Sequence, residues 1–287
     1  MTLVQMNHPL LNKTALITGA SRGLGAEIAL RLAHDGASLA LVARDAAALE
    51  SLLPHLREAK VAESQQFRFF SADLSQEPQL RGVAQAVTNE MGGVDILVNN
   101  AAIQGPIGAM DAVDWAAWRA VFDVNLFAPS LLSQLLIPAM RSRGGKIINV
   151  SGGGATGPRP NFSAYAASKC ALVRLTETLA EELKSQRIDV NAVAPGPMNT
   201  QMLDEVLAAG PVAAPREYAA AVERKRAGGT PPEKAADLVA WLASPASDGI
   251  TGKLISAVWD DWESFSERRA ELAGSDLYTL RRVTTSS

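Results

Sequence analysis

A tyrosine and a lysine lie four residues apart in SGGGATGPRPNFSAYAASK, which spans residues 151–169. An α-helix places residues i and i+4 on one face, so a helix here would set the Tyr165 phenol beside the Lys169 ammonium. A neighbouring ammonium favours the phenolate and lowers the pKa of a tyrosine from its ordinary value of about 10. The pair therefore predicts proton exchange between Tyr165 and an oxygen atom of a small molecule.

A glycine-rich turn, TGASRGLG at residues 18–25, follows the first predicted strand. Where a strand turns sharply into a helix whose N–H groups face a pyrophosphate, Cβ atoms are excluded at the closest approaches. Gly19, Gly23 and Gly25 carry no Cβ, and they stand between a strand and a helix at the start of the chain. The turn therefore predicts a bound dinucleotide.

The residues after the second predicted strand indicate which dinucleotide is bound. Arg44 stands where an acidic residue would accept hydrogen bonds from a ribose diol, and a guanidinium pairs instead with a 2′-phosphate. Arg22 in the glycine turn is a second cation, so we predict NADP(H) as the preferred cofactor and NAD(H) as the alternative. The other interpretation of Arg44 is a solvated surface residue. Asp45 is better explained as a helix N-cap than as a ribose ligand, whereas Asp73 accepts from the adenine amino group, caps a helix, or does both.

Composition excludes several classes of function. The chain has 287 residues, 47% hydrophobic residues, 20% charged residues and a net charge of -3, which are ordinary values for a globular protein and do not suggest a nucleic-acid partner. We find no apolar run of the roughly 18 residues that a membrane span requires, so we expect no membrane partner and, by default, a cytoplasmic location. One cysteine and three scattered histidines have no metal-ligand spacing, so we expect no metal site.

Short apolar runs alternate along the chain with stretches of helical periodicity. We predict strands at residues 14–18, 38–43, 67–72, 94–99, 146–150, 188–193 and 253–258. We predict helices at residues 23–35, 45–59, 76–91, 114–140, 162–186 and 232–243, with a helical insertion between residues 199 and 230. Runs such as LALVA are apolar throughout, which is typical of a parallel sheet with helices on both faces. We therefore predict an α/β fold with one doubly wound domain over residues 1–258 and a tail over residues 259–287.

Four motifs together resemble the short-chain dehydrogenase/reductase family. They are TGASRGLG, then NNA at residues 99–101, YAASK at 165–169 and PGPMNT at 195–200, and they occur in this order over most of residues 12–256. The resemblance implies a single Rossmann domain with a seven-stranded parallel sheet, a nicotinamide cofactor and a homodimer or homotetramer.

The resemblance also implies roles for individual residues. Lys169 would bind the nicotinamide ribose in addition to acting on Tyr165, and Asn125 matches the asparagine that supports a proton-relay water. Asp73 and Leu74 would flank the adenine, and Asn100 and Ala101 its ribose. Met198 and Thr200 would meet the nicotinamide carboxamide. The pyrophosphate and ribose would be held by Gly19, Ser21, Arg22, Gly23, Leu24 and Gly25.

This chain departs from the family at the position of a catalytic hydroxyl. The family has serine or threonine 13 residues before the tyrosine, and this position is Gly152 here, with Ser151 one place earlier. Either the loop is shifted so that Ser151 takes the role, or water or substrate fills the gap; losing such a donor costs on the order of 10²- to 10³-fold in rate. NNAA replaces the usual NNAG, and AVWDDWESF replaces a glycine-rich ending, which leaves the mode of assembly open.

These features predict an NADP(H)-dependent oxidoreductase that interconverts a secondary alcohol and a carbonyl, with Tyr165, Lys169, Asn125 and Ser151 as catalytic residues. The alternative is a dinucleotide-binding sensor or scaffold of the same fold that has lost its redox activity. The substrate is a small molecule that the sequence does not identify. The expected pocket residues are Gln104, Pro106, Arg159, Pro160, Asn161, Met198 and Met202. For Arg159 we expect either a solvated loop cation or a ligand for a carboxylate or phosphate.

Overall fold

A seven-stranded, all-parallel sheet forms the centre of the protein in residues 8–283, the part of the chain that the computed structural model describes. Its strand order is β3-β2-β1-β4-β5-β6-β7. The strands are β1 (Thr14–Thr18), β2 (Ser38–Ala43), β3 (Phe67–Ser71), β4 (Ile96–Asn99), β5 (Gly145–Val150), β6 (Ile188–Ala194) and β7 (Leu254–Ser256). The predicted fold class and the seven predicted strands are confirmed.

The neighbouring strands β1 and β4 mark the point where the chain reverses its direction across the sheet. From β1 the chain continues to β2 and β3 on one side, and it then returns to place β4 to β7 on the other. Loops that leave the carboxyl ends of β1 and β4 therefore diverge and open a crevice, which is where ligands bind in open α/β sheets.

Helices cover both faces of this sheet. They are α1 (Gly23–His34), α2 (Ala46–Glu50), α3 (Leu53–Ala59), α4 (Glu77–Met91), α5 (Trp115–Phe122), α6 (Ala128–Met140), α7 (Ser163–Leu183), α8 (Gln201–Ala213), α9 (Tyr218–Ala227), α10 (Pro232–Ala243) and α11 (Arg269–Leu272). Helices α1 and α10 share one buried apolar cluster with one face of the sheet, and α4, α6 and α7 share a second cluster with the other face. The central strands are consequently buried on both sides, as β1 shows with all five residues buried.

The predicted helix at residues 45–59 is two helices because of one proline. Pro54 is the second residue of α3, and α2 ends at Glu50, four residues before the proline. A proline ring clashes with the carbonyl of the residue four positions before it and cannot donate the N–H bond, so one continuous helix is disfavoured here.

The predicted helix at residues 114–140 is continuous over Trp115–Met140, with a π-helical turn at Asp123–Phe127 between α5 and α6. Pro129 lies four residues after Asn125 and cannot donate to the Asn125 carbonyl, which explains the local change from α- to π-helical geometry. By length and composition alone this stretch could span a membrane, contrary to our expectation from the sequence, but 44% of its apolar window is buried inside the protein. It packs against α4 and α7.

The tail that follows β7 packs onto the same core. Phe265 and Leu272 are buried in the cluster formed by α1 and α10. The Leu254 N–H donates to the Tyr278 carbonyl at 2.8 Å, so the tail also runs along the edge strand β7. Trp262 packs against Trp241 with ring centroids 5.7 Å apart.

Candidate active site

The four predicted catalytic residues lie around the carboxyl end of β5. Ser151 follows that strand directly, Asn125 lies in the π-helical turn, and Tyr165 and Lys169 lie in the first two turns of α7. Lys169 Nζ donates to the Val150 carbonyl at 2.7 Å, which fixes α7 against the end of β5. All four side chains are buried.

Asn125 connects the turn to α7 through its side chain. Its Nδ2 donates to the Ile103 carbonyl at 2.9 Å and to Ser168 Oγ at 3.1 Å, and its Oδ1 accepts from the Ile103 N–H at 2.9 Å. Ser168 Oγ donates in turn to the Tyr165 carbonyl at 2.8 Å. Asn125 therefore orients the helix that carries Tyr165, and Ser168 is a positioning residue that the sequence interpretation missed.

The protonation of Tyr165 and Lys169 differs from our expectation, because burial dominates both groups. Burial raises the pKa of Tyr165, although the nearby Arg159 charge lowers it and the Glu217 carboxylate raises it further. Burial also lowers the pKa of Lys169 from 10.5 to about 7. Such a lysine is only partly charged at neutral pH, so it favours the phenolate less than a solvated ammonium would. The predicted lowering of the tyrosine pKa is therefore wrong for this closed structure.

The Tyr165 hydroxyl occupies the space beside Gly152. A Cβ added at Gly152 would overlap this hydroxyl and lie 3.1 Å from the tyrosine Cζ. Ser151 Oγ is buried, and it has no hydrogen-bond partner within the described chain, including Tyr165. The structure thus shows no Ser151–Tyr165 hydrogen bond and leaves the Ser151 hydroxyl available to a further group.

The insertion between β6 and α10 covers the tyrosine. Tyr165 shares an apolar cluster with Phe162 from its own loop and with Leu203, Val206, Ala214 and Ala221 from α8, α9 and their connection. Only 6% of Tyr165 is exposed. The insertion therefore leaves only a small part of the tyrosine accessible to a substrate.

The glycine turn is packed as closely as predicted. A Cβ at Gly19 would lie 2.9 Å from Ala101 Cα, and one at Gly25 would overlap the Gly19 carbonyl oxygen. Asn100 Nδ2 donates to the Thr18 carbonyl at 3.0 Å, and Thr18 Oγ1 accepts from the N–H groups of Asn100 and Ala101 at 3.1 Å each. Thr18, which the sequence interpretation passed over, thereby joins the ends of β1 and β4.

The start of α1 can receive an anion. Gly23 has a φ of +54°, and a Cβ there would meet no protein atom within 4 Å. The preceding Arg22 makes no side-chain capping hydrogen bond to the helix. Gly23 and Leu24 line a cleft of about 230 Å³ together with Met198 and Thr200, so two separate predicted cofactor segments meet there. Ser21 is partly buried in the same turn.

The predicted adenine side lies at the ends of β2 and β3. The Arg44 side chain is exposed, and the Arg44 backbone carbonyl accepts from Ser71 Oγ at 3.0 Å. The Asp73 carboxylate accepts from the Ser75 N–H at 2.9 Å and from its hydroxyl at 2.8 Å, and these bonds hold its pKa below the usual range. Helix α4 has Gln76 as its N-cap, so the interpretation of Asp73 as a helix cap is wrong. The next residue, Leu74, is buried.

Two charged residues near these segments, Asp45 and Arg22, act on other parts of the protein. Asp45 accepts from the Ala48 N–H at 3.0 Å and caps α2, as predicted. Burial raises the pKa of Glu205 in α8, and the Gln201 hydrogen bond and then the Arg22 charge partly offset this rise. The charge of Arg22 therefore acts on the insertion as well as on the glycine turn.

The predicted pocket residues contact the insertion. Gln104 Nε2 donates to the Met202 carbonyl at 3.3 Å, and Asn161 Nδ2 donates to the Ala213 carbonyl at 2.6 Å. Arg159, Pro160 and Asn161 line a cleft of about 240 Å³ with residues 214–217, whereas Pro106 is only partly buried. Arg159 is not a solvated cation, since it pairs with Glu217. No local sequence signal indicated Glu217, because the two residues are 58 positions apart.

Known proteins are similar to this chain in sequence and architecture. The sequence pattern of a family described as short chain dehydrogenase matches residues 13–209. Dehydrogenase/reductase SDR family member 4 of Bos taurus is 35% identical over 249 residues, covering 86% of this chain and 86% of that protein. Galactitol 2-dehydrogenase of Agrobacterium fabrum is 32% identical over 264 residues, covering 88% of this chain and 98% of that protein.

Solved structures agree with the sequence relatives. The crystal structure of an NAD⁺-bound xylitol dehydrogenase has a TM-score of 0.76 at 28% identity, covering 86% of this chain and 98% of that one. A short-chain type dehydrogenase/reductase from Mycobacterium marinum has a TM-score of 0.75 at 31% identity, covering 88% and 96%. The chain therefore belongs to the short-chain dehydrogenase/reductase family of oxidoreductases.

Proposed function

We propose that the protein interconverts a secondary alcohol and a carbonyl by hydride transfer, with Tyr165 as the acid/base. The observation that carries this proposal is the position of Tyr165 and Lys169 on one face of α7, beside the carboxyl end of β5, the strand next to β4. Two of the similar proteins are named for polyol alcohols, galactitol and xylitol, which supports an alcohol as the reduced substrate.

The residues of the crevice fit a nicotinamide dinucleotide. Gly19 and Gly25 allow the turn to close tightly, and the space beside Gly23 and the uncapped start of α1 suit a pyrophosphate. When bound, this cofactor donates or accepts the hydride. Met198 and Thr200 border the same cleft and would contact the carboxamide end.

We further propose a preference for NADP(H). The exposed guanidinium of Arg44 follows β2, at the position where a 2′-phosphate would lie. The positive charge of Arg44 contributes to the lowered pKa of Asp73, so the two side chains interact electrostatically. A phosphate bound by Arg44 and an adenine beside Asp73 are compatible with this arrangement.

Tyr165, Lys169 and Ser151 would have separate roles in the proton transfer. Tyr165 would donate a proton to the carbonyl oxygen during reduction and accept one from the alcohol during oxidation. Lys169 would hold the nicotinamide ribose and favour the phenolate once the insertion opens and the amine is hydrated and charged. Ser151 Oγ, buried without a partner, would donate to the reacting oxygen when the substrate arrives.

One observation favours the alternative of a protein that binds a dinucleotide without turnover. Position 152 has no hydroxyl, and the tyrosine fills the space of its side chain. Retention of Tyr165, Lys169 and Asn125 around one strand end argues for the enzyme instead, because a sensor has no use for a buried phenol and amine.

The proposal is tested with a panel of carbonyl compounds as oxidants of NADPH, and the reaction is measured as the loss of nicotinamide fluorescence. We expect turnover by the wild type and a fall of at least about 100-fold in kcat/KM for Tyr165→Phe. Tyr278→Phe in the tail is the matched control and should keep wild-type activity. Binding of NADPH with no carbonyl consumed faster than by Tyr165→Phe would favour the sensor.

We also propose a homo-oligomer. Trp115 and Phe127 lie on the long helical stretch Trp115–Met140 and are 58% and 57% exposed, which is unusual for large aromatic side chains. Light scattering of the purified protein tests this proposal, and a monomer at micromolar concentration would overturn it.

A further inference from the structure

Arg159 and Glu217 form a bidentate salt bridge between the loop before α7 and the insertion. Arg159 Nε and Nη2 donate to the two carboxylate oxygens of Glu217 at 2.6 and 2.5 Å. Their side chains are only 17% and 32% exposed. This is the planar geometry in which a guanidinium binds a carboxylate most strongly.

The same guanidinium lies against the catalytic tyrosine. Its Cζ is 3.9 Å from the centroid of the Phe162 ring and 5.2 Å from the centroid of the Tyr165 ring. A carboxylate bound by Arg159 would therefore lie on the same side of the site as the ring of Tyr165.

The pair also connects the loop to the part of the chain that covers Tyr165. Glu217 directly precedes α9, and Ala214 and Ala221 on either side of it belong to the apolar cluster around the tyrosine. An outward movement of the insertion would carry Glu217 away from Arg159. Arg159 would then be left with a largely buried and unpaired charge, which is costly.

A substrate that carries its own carboxylate removes this cost. Its anionic group takes the place of Glu217 on the guanidinium fork while its carbonyl or hydroxyl reaches Tyr165. A neutral substrate of the same size cannot do so, because it leaves the guanidinium without a counter-charge.

On this basis we propose that Arg159 is the specificity-determining residue of the site and that it selects oxo acids and their hydroxy-acid products, with Glu217 as the internal carboxylate that they displace. The inference rests on the proposed oxidoreductase function and names its substrate class.

Turnover of matched compounds tests the class. Pyruvate, acetoacetate and 4-oxopentanoate are each compared with their methyl esters, with NADPH as the reductant. For at least one pair we expect kcat/KM of the acid to exceed that of the ester by about 10-fold or more. Arg159→Gln should remove this difference by lowering the acid value alone, and Arg159→Lys should keep part of it. Arg268→Gln, which breaks a similar two-pronged pair with Glu271 in the tail, should change neither value.

A substitution of Glu217 can be compared with a control substitution at another glutamate of the insertion. Glu217→Gln removes the competing carboxylate and should raise kcat/KM for the acid, whereas Glu223→Gln, in an exposed pair with Arg226, should not. Equal kcat/KM for acids and esters in the wild type would overturn the inference. A preference for dihydroxyacetone phosphate over all three acids would overturn the choice of a carboxylate.

A binding measurement separates failure of this inference from failure of the proposed function. Calorimetric titration of the same acids and esters into the protein with NADP⁺ requires no turnover. Acids that bind at least about 10-fold more tightly than their esters, with the difference lost in Arg159→Gln, support the assignment even if no carbonyl is reduced. Reduction of carbonyls with no difference in affinity would retain the enzyme and reject the role of Arg159.

Discussion

The hydroxyl of Tyr165 lies where the side chain of residue 152 would begin, and glycine at position 152 is what allows it to be there. From the family resemblance of the sequence we expected a side-chain hydroxyl at that position to assist the tyrosine. Here the backbone of Gly152 contacts the phenol directly, and the neighbouring Ser151 keeps a buried hydroxyl without a partner.

Gly152→Ala should displace Tyr165. The added methyl overlaps the phenol hydroxyl, so we expect the free energy of unfolding to fall by about 1–3 kcal/mol and kcat/KM to fall by roughly 10-fold or more. Chemical denaturation and steady-state kinetics measure the two effects. Gly153→Ala is the matched control, because a Cβ there has only Arg159 atoms at 3.9 Å and neither glycine has a positive φ. Higher activity in Gly152→Ser would show that the tyrosine tolerates the family's hydroxyl.

Ser151→Ala should lower the activity of the protein without lowering its stability. Since Ser151 Oγ is buried without a partner, its removal should leave the free energy of unfolding unchanged or increase it. If the substrate oxygen is its partner, kcat/KM should fall on the order of 10²-fold. Ser168→Ala, in contrast, should reduce stability, because Ser168 Oγ bonds Asn125 and the Tyr165 carbonyl. Full activity in Ser151→Ala would assign the donor role to water or substrate.

Lys169 should make the stability of the protein rise with pH. Burial lowers its pKa from 10.5 to about 7, so between these values the unfolded chain holds a proton that the folded chain has released. The free energy of unfolding therefore increases from pH 7 towards pH 10.5, by at most about 1.4 kcal/mol per pH unit.

Denaturation between about pH 7 and pH 9.5 measures this slope, below the range in which Tyr165 titrates. Lys169→Met should reduce the slope, and Lys225→Met on the surface should retain that of the wild type. Identical slopes in both variants would place Lys169 in contact with water.

Arg44→Ala should change the choice of cofactor. Loss of a charge-assisted contact to the 2′-phosphate should weaken NADPH binding by roughly 10-fold or more while leaving NADH affinity unchanged. Parallel fluorescence titrations measure both affinities, with Arg57→Ala on α3 as an exposed control. An equal loss for both cofactors, or equal wild-type affinities, would contradict the assignment.

The fold was predictable because its signals are local. Apolar runs of strand length alternate with helical periodicity, and β1, β2 and α10 have the bounds that the sequence predicts. The glycine turn and the Tyr165–Lys169 spacing were equally visible, since each depends on residues close together in the chain. The break before Pro54 and the π-helical turn before Pro129 were also encoded locally, but they were overlooked.

Only the tertiary structure decided the environment of these residues. Glu217 contacts Arg159 although the two residues are 58 positions apart, and the insertion buries Tyr165. No periodic pattern in the sequence indicates either contact. The pKa values of Tyr165 and Lys169 follow from that burial, because desolvation by distant segments outweighs the effect of a neighbour one helical turn away. The sequence by itself thus determined which groups meet at the end of β5, whereas the packing of remote elements decided their protonation and their access to substrate.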